Sequence, residues 1–273
     1  MTTVGIVTGA ASGIGAACAD RMAGTVDVLV LMDLDPDATA GAVERLTGPD
    51  TRYEIVAGDV SDAATVSHLA SVAGAHGTLH RVVHAAGISP TMGDWDRILT
   101  VDLVGTALLA DSLRPLATAG TSMVCVASMA AELIAHQADP AIDRIIDKPL
   151  AATFLDDYRS ALDTAGEDPG IAYGWAKRGV RRLVARNAAP FGSMGARICS
   201  VSPGTIDTPM GRREFERQPG MRQLEEMAPL GRSGRADEIA AVIDFLLSDQ
   251  ASFVTGTDVL VDGGVCAVIG QMQ

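Results

Sequence analysis

Seven short runs rich in Val, Ile and Leu recur along the chain, at 4–8, 27–33, 52–59, 80–87, 121–128, 196–204 and 257–264. Their length and β-branched content mark them as strands, and because they are apolar without alternation, both faces need cover. Between them lie segments of helical length and spacing, at 13–24, 62–75, 96–118, 171–189 and 236–247. Strands that alternate with helices pair in parallel. The chain is therefore expected to be an α/β protein, a doubly wound, seven-stranded parallel sheet flanked by helices.

At 273 residues the chain suits one large domain, and no linker, repeat or low-complexity tract divides it. Its net charge of -13 argues against nucleic acid or an anionic membrane as partner. No window approaches the apolar run that a membrane span needs, and the N-terminus lacks a basic flank before an apolar core. Cys18, Cys125, Cys199 and Cys266 are too scattered for a metal or redox motif. A cytoplasmic protein with reduced thiols and no metal is expected.

Two regions break the alternation. In 129–170 the pattern predicts a short helix at 140–147 and a longer one at 149–165, with Pro149 as its first position and Gly166 as its stop. Leu150, Phe154, Leu155, Tyr158 and Leu162 would form the apolar stripe of the longer helix. The second region, 205–230, is rich in Arg, Glu and Met and reads as a mobile helical flap.

Directly after the first run comes "TGAASGIG", Thr8 to Gly15, and then a helix. Glycines at 9, 13 and 15 allow a tight turn, a close approach of backbone N–H groups to a pyrophosphate, and a helix N-terminus aimed at that anion. A glycine-rich turn without a ligand is the plainer alternative. Asp33 ends the next strand, eighteen residues beyond Gly15. A carboxylate there can accept from both hydroxyls of an adenosine ribose and would repel a 2'-phosphate, which favours NAD over NADP.

Tyr173 and Lys177 stand four apart in a helical segment, on one face, in a chain with three tyrosines and two lysines. Hydride transfer at an alcohol or ketone carbon is coupled to proton transfer at its oxygen. A phenol is a poor base at neutral pH unless a nearby ammonium favours the phenolate. Tyr173 is thus the candidate general acid/base, and Lys177 the cation that lowers its pKa.

With the glycine spacing of "TGAASGIG", "GDVSD", "HAAG", "VCVAS", "YGWAK", "SPGTIDTPM" and the terminal "VDGG" in order, the chain resembles the short-chain dehydrogenase/reductase family, over nearly its whole length. The resemblance implies a single Rossmann-type NAD-binding catalytic domain. Gly9, Ser12, Gly13, Ile14 and Gly15 would hold the pyrophosphate, Asp59 and Val60 the adenine, and Ala86 and Gly87 would line the cofactor. Pro203, Gly204, Ile206 and Thr208 would hold the nicotinamide carboxamide. It further implies that Lys177 binds the nicotinamide ribose and that Ser128 hydrogen-bonds the substrate oxygen. His84 and Ala85 depart from the family's Asn-Asn, and a histidine there reads as a packed strand residue. Asp102 stands where the family has an asparagine that fixes a helix bend and holds a water of the proton path. A carboxylate cannot donate as an amide does, so an altered relay and pH dependence are expected.

About thirty extra residues, falling within roughly 132–170, separate Ser128 from Tyr173 by more than the family's usual connection. A bacterial hydroxysteroid dehydrogenase of the family carries a comparable insertion, and the resemblance implies a bulky, apolar alcohol or ketone of the steroid kind. Met210, Phe215, Met221 and Met227 would supply adaptable walls. The insertion could shape either the substrate mouth or the contact between subunits of a homodimer or homotetramer. Two alternatives stay open: a 3-oxoacyl thioester reductase, against which Asp33 counts, and an inactive NAD-binding regulator, which Asp102 and "HAAG" would suit.

Overall fold

The seven apolar runs become the seven strands of one sheet. The computed structural model describes residues 1–48, 50–137 and 139–272; Pro49, Ala138 and Gln273 lie outside the described residues, Ala138 within the expected insertion. The strands are β1 (Thr3–Thr8), β2 (Val28–Asp33), β3 (Arg52–Ala57), β4 (Thr78–His84), β5 (Ser122–Val126), β6 (Arg197–Pro203), β7 (Ile206–Asp207), β8 (Gly234–Arg235) and β9 (Asp258–Val261). All but β7 and β8, which pair with each other, form a parallel sheet in the order β3-β2-β1-β4-β5-β6-β9.

Strand periodicity divides β2 between two cores. Val28, Val30 and Met32 face one layer, while Leu29 and Leu31 face the other. The first layer contains α3 (Ala63–His76), α5 (Gly105–Leu113) and α9 (Pro169–Gly192); the second contains α1 (Gly13–Met22) and α12 (Ala236–Leu247). Each buried Val, Leu or Ile on these faces contributes roughly 1.5–3 kcal/mol. The double cover explains why the runs carry no polar alternation.

Local signals account for two departures from the expected helices. An additional helix, α2 (Pro36–Val43), follows β2; Asp35 caps it by accepting from the N–H groups of Asp37 and Ala38, and Pro36 opens it. The single helix expected at 96–118 is interrupted: α4 (Trp95–Leu99) passes into a π-helical turn, Thr100–Val104, before α5 begins. That widened turn carries Asp102.

The inserted segment forms α6 (Ala130–Leu133), α7 (Pro140–Ile146) and α8 (Phe154–Leu162). The helix expected at 149–165 is shorter at both ends. Pro149 lies in the turn ahead of it, and the helix stops at Asp163, whose φ of 51° is incompatible with a further α-helical residue. Gly166 sits in the 3-10 turn that follows. Of the expected stripe, Phe154 and Tyr158 are buried and Tyr158 stacks on Trp95 at 5.9 Å, whereas Leu150 is exposed.

The insertion is fastened to one face of α9. Arg178 donates to both oxygens of Asp143 at 2.8 Å, Arg182 bridges Asp143 at 3.0 Å and Asp147 at 2.8 Å, and Arg186 reaches Asp147 at 3.0 Å. The four-residue spacing of these arginines sets them in one row, against Asp143 on α7 and Asp147 at its C-cap, one helical turn apart. Bidentate geometry makes such pairs stronger than ordinary surface ion pairs. Replacing both Asp143 and Asp147 by Asn should lower Tm by a few degrees and expose 139–168 to limited proteolysis, with dinucleotide binding unchanged; an unaltered Tm would mean that apolar contacts alone hold the insertion.

Candidate active site

Because the strands are parallel, the C-terminal ends of β1, β2, β4, β5 and β6 share one edge of the sheet. A cleft of about 590 Å³ opens along it. Apart from Asp102, all of the site residues expected from the sequence line this cleft: Gly9, Ser12, Gly13, Ile14, Gly15, Asp33, Asp59, Val60, Ala86, Gly87, Ser128, Tyr173, Lys177, Pro203, Gly204, Ile206 and Thr208. Residues separated by up to 199 positions thus meet in one groove.

At the glycine end, β1 turns sharply into α1. Gly9 and Gly13 take φ values of 70° and 56°, and a Cβ on Gly15 would lie 2.0 Å from the Gly9 carbonyl oxygen. Ser12 sits at the N-cap of α1 without a side-chain capping bond, so the first backbone N–H groups of the helix remain available beside the cleft. An anion fits there, as the helix dipole favours it. Asp33 is oriented by two backbone donors, Ala11 N–H at 2.9 Å and Leu34 N–H at 2.7 Å. Its carboxylate faces the cleft with lone pairs left for the hydroxyls of a ribose. These residues fit an adenine dinucleotide.

Asp59 is more heavily engaged than expected. One oxygen accepts from the backbone and hydroxyl of Ser61, and the other from Arg97 Nη2 at 2.6 Å. Burial acts to raise its pKa, but the bonds from Arg97 and Ser61 outweigh that and hold the carboxyl below its usual range. Arg97, which also lines the cleft, went unnoticed in the sequence, since a single arginine on a helix carries no motif.

At the chemical end, Ser128 follows β5, Tyr173 and Lys177 project from the first turns of α9, and the Lys177 ammonium lies 5.5 Å from the Tyr173 ring centre. Lys177 is only 5% exposed; its Nζ donates to the Val126 carbonyl at 3.4 Å and stands 3.5 Å from Asp102 Oδ2. Burial pushes the Tyr173 phenol above its ordinary pKa; Lys177 pulls it down, Asp102 pushes it up, and Ser128 pulls it down. Lys177 therefore acts in the expected direction but is outweighed.

Asp102 does not line the cleft. Its carboxylate stands beside Lys177, and its own backbone carbonyl accepts from Thr106 Oγ1 at 2.6 Å. The Thr106 hydroxyl proton is used in that bond, so the oxygen can only accept from His84 Nε2 at 2.9 Å; His84 Nδ1 then accepts from Thr8 Oγ1 at 2.7 Å. Burial lowers the His84 pKa to about 3. This histidine is a neutral, packed strand residue, as anticipated.

The flap comprises α10 (Pro209–Arg217) and α11 (Gly220–Met227). Met210 and Met221 line the cleft, whereas Phe215 does not and Met227 packs beneath the flap with Leu224 and Cys266. Glu214, buried at 7% exposure, ties α10 to the loop after β4 by accepting from Ser89 Oγ at 2.5 Å and from Thr91, with Gln218 at 2.8 Å on its other oxygen. Nothing in the sequence marked Glu214, because Ser89 and Thr91 lie more than 120 positions away. Of the insertion's described residues, Leu133 and Gly170 touch the cleft. The segment therefore covers the outer face of α9 rather than the mouth of the site.

Comparison with known proteins agrees with this fold. The model of the family described as enoyl-(acyl carrier protein) reductase matches residues 9–142 and 158–266, interrupted only within the inserted segment. D-threitol dehydrogenase of Mycolicibacterium smegmatis is 31% identical over 96% of this chain and 92% of its own length. 3-alpha-hydroxysteroid dehydrogenase/carbonyl reductase of Comamonas testosteroni is 27% identical over 85% of this chain and 95% of its own. The crystal structure of a short-chain dehydrogenase/reductase, glucose/ribitol dehydrogenase, from Brucella melitensis superposes with a TM-score of 0.75, at 28% identity, over 97% of this chain and 96% of that one. Among the described residues no helix is long and apolar enough to cross a membrane.

The turn at Gly15 offers a direct test of the glycine end. Gly15→Ala must push the β1–α1 turn apart, so we expect dinucleotide binding, followed by fluorescence titration, to weaken at least about tenfold. Binding equal to wild type would show that the turn does not serve a ligand.

Proposed function

The chain belongs to the short-chain dehydrogenase/reductase family, and from that premise we propose that it is an NAD-dependent oxidoreductase interconverting a secondary alcohol and a ketone. The observation that carries this reading is the meeting of Ser128, Tyr173 and Lys177 in the same cleft as the glycine turn and Asp33.

When bound, the nicotinamide supplies the hydride acceptor for oxidation or the donor for reduction. Ser128 hydrogen-bonds the substrate oxygen and steadies the charge that develops on it. In oxidation the Tyr173 phenolate takes the hydroxyl proton as the carbinol hydrogen leaves with its electron pair; in reduction the phenol returns that proton to the oxygen. Lys177 favours the phenolate and holds the nicotinamide ribose. Asp33 accepts from the ribose hydroxyls and disfavours a 2'-phosphate. At the far end the cleft is walled by Met92, Met129, Leu133, Met210, Met221 and Leu224. Such walls suit a bulky apolar substrate of the hydroxysteroid kind, and the steroid-acting relative supports that choice. The polyol acted on by the other named relative makes small hydroxylated substrates the control set.

The test is a panel of secondary alcohols, steroids and polyols included, read by NADH absorbance. Tyr173→Phe should cost on the order of 10²–10⁴ in turnover while leaving NADH binding near wild type. Retained turnover would remove the phenol from the mechanism. With one ketone, NADH should support faster reduction than NADPH, and Asp33→Ala should narrow that preference; a wild-type preference for NADPH would overturn the assignment of Asp33 and favour the thioester reductase reading.

A further inference from the structure

We propose that the Asp102 carboxylate is the counter-ion of Lys177, and that by taking up part of the ammonium's charge it sets the pH range in which Tyr173 exchanges its proton. This deepens the reading of Tyr173 as the acid/base and rests on it.

The pair is built, not incidental. The π-helical turn points the Asp102 side chain into the protein, where it has no exposure to solvent. Oδ1 is fixed by the Ile88 N–H at 2.8 Å, while Oδ2 has no hydrogen-bond partner and stands 3.5 Å from Lys177 Nζ. The chain approaches this pair closely at Gly87, where a Cβ would lie 2.8 Å from Asp102 Oδ1 and 3.2 Å from Lys177 Nζ. A buried carboxylate with an unpartnered oxygen is costly, and the ammonium is the group that relieves it.

The other groups facing the pair do not substitute for either member. His84 on β4 is neutral, and burial holds the Cys125 thiol on β5 up at about 12, so it too is neutral. Glu214 on α10 adds a second carboxylate that acts on Tyr173, in the same direction as Asp102. Lys177 is the cation that works against both. Burial raises the Asp102 pKa, while Lys177 and the Ile88 N–H work against that rise. With a neutral residue at 102 the ammonium would act on Tyr173 undiminished; with Asp102 ionised part of that action is offset at the phenol. The consequence has a sign. The phenolate needed for oxidation forms at higher pH, and the phenol needed for ketone reduction persists further into the alkaline range.

Asp102→Asn preserves volume and the acceptor for Ile88. It should move the acid limb of kcat/KM for alcohol oxidation down by about one pH unit, and the alkaline limb of reduction with it. A second measurement needs no turnover. The ultraviolet titration of tyrosinate, taken as the difference between each protein and its Tyr173→Phe counterpart, reads Tyr173 alone. It should lie above an ordinary phenol in the wild type and fall by a similar amount with Asp102→Asn. A lower kcat with both readouts unmoved would make Asp102 a purely structural residue and overturn the proposal. Should Asp102→Asn fail to fold, a wild-type Tyr173 titrating below an ordinary phenol overturns it equally. If the titration moves as expected while Tyr173→Phe retains turnover, the ion pair stands and the acid/base role of Tyr173 falls.

Discussion

The constraint on which this molecule depends is the parallel pairing of strands that are apolar on both faces. Each strand must leave the sheet, cross over a face and return, so every carboxyl end lies on the same edge. Two cores form, one on each side. Chemistry is left to the edge, where the turns after β1, β2, β4, β5 and β6 meet. The crossovers lengthen freely at little cost to this arrangement, which is why an insertion can separate Ser128 from Tyr173 without separating them in space.

The site places two opposite demands on charge. The glycine turn and the open N-terminus of α1 suit an anion at one end, beside the carboxylate of Asp33. At the other end a buried ammonium must favour a phenolate in surroundings whose burial disfavours it. An unpaired buried ammonium is itself unfavourable, and Asp102 relieves it at the expense of its effect on Tyr173. Stability of the centre and ease of proton loss from the phenol thus oppose each other through one carboxylate.

The insertion shows a third use of charge. Arg178, Arg182 and Arg186 repeat at helical spacing on α9, and Asp143 on α7 and Asp147 at its C-cap meet that row at matching spacing. The result clothes one face of the helix that bears Tyr173 and Lys177, away from the cleft. Among its described residues, Leu133 and Gly170 form its share of the cleft wall.

Much of the fold was legible because its signals are local. The seven strands, the glycine turn, Asp33 and the Tyr173–Lys177 spacing each follow from residue type and period over a few positions, which backbone geometry enforces wherever the segment lies. The ends of α8 were misread because a positive φ at Asp163, not a glycine, stops that helix. Asp102 could be singled out by its departure from a motif, but not the 3.5 Å that separates it from Lys177. Arg97 on Asp59 and Glu214 on Ser89 and Thr91 left no trace in the sequence at all. The sequence alone determined which segments are strands and which residues could bear chemistry, because those depend on local period and side-chain type. Only the tertiary structure decided which charges neutralise one another and where the insertion lies, because burial and distance between remote residues exist only once the chain has closed on itself.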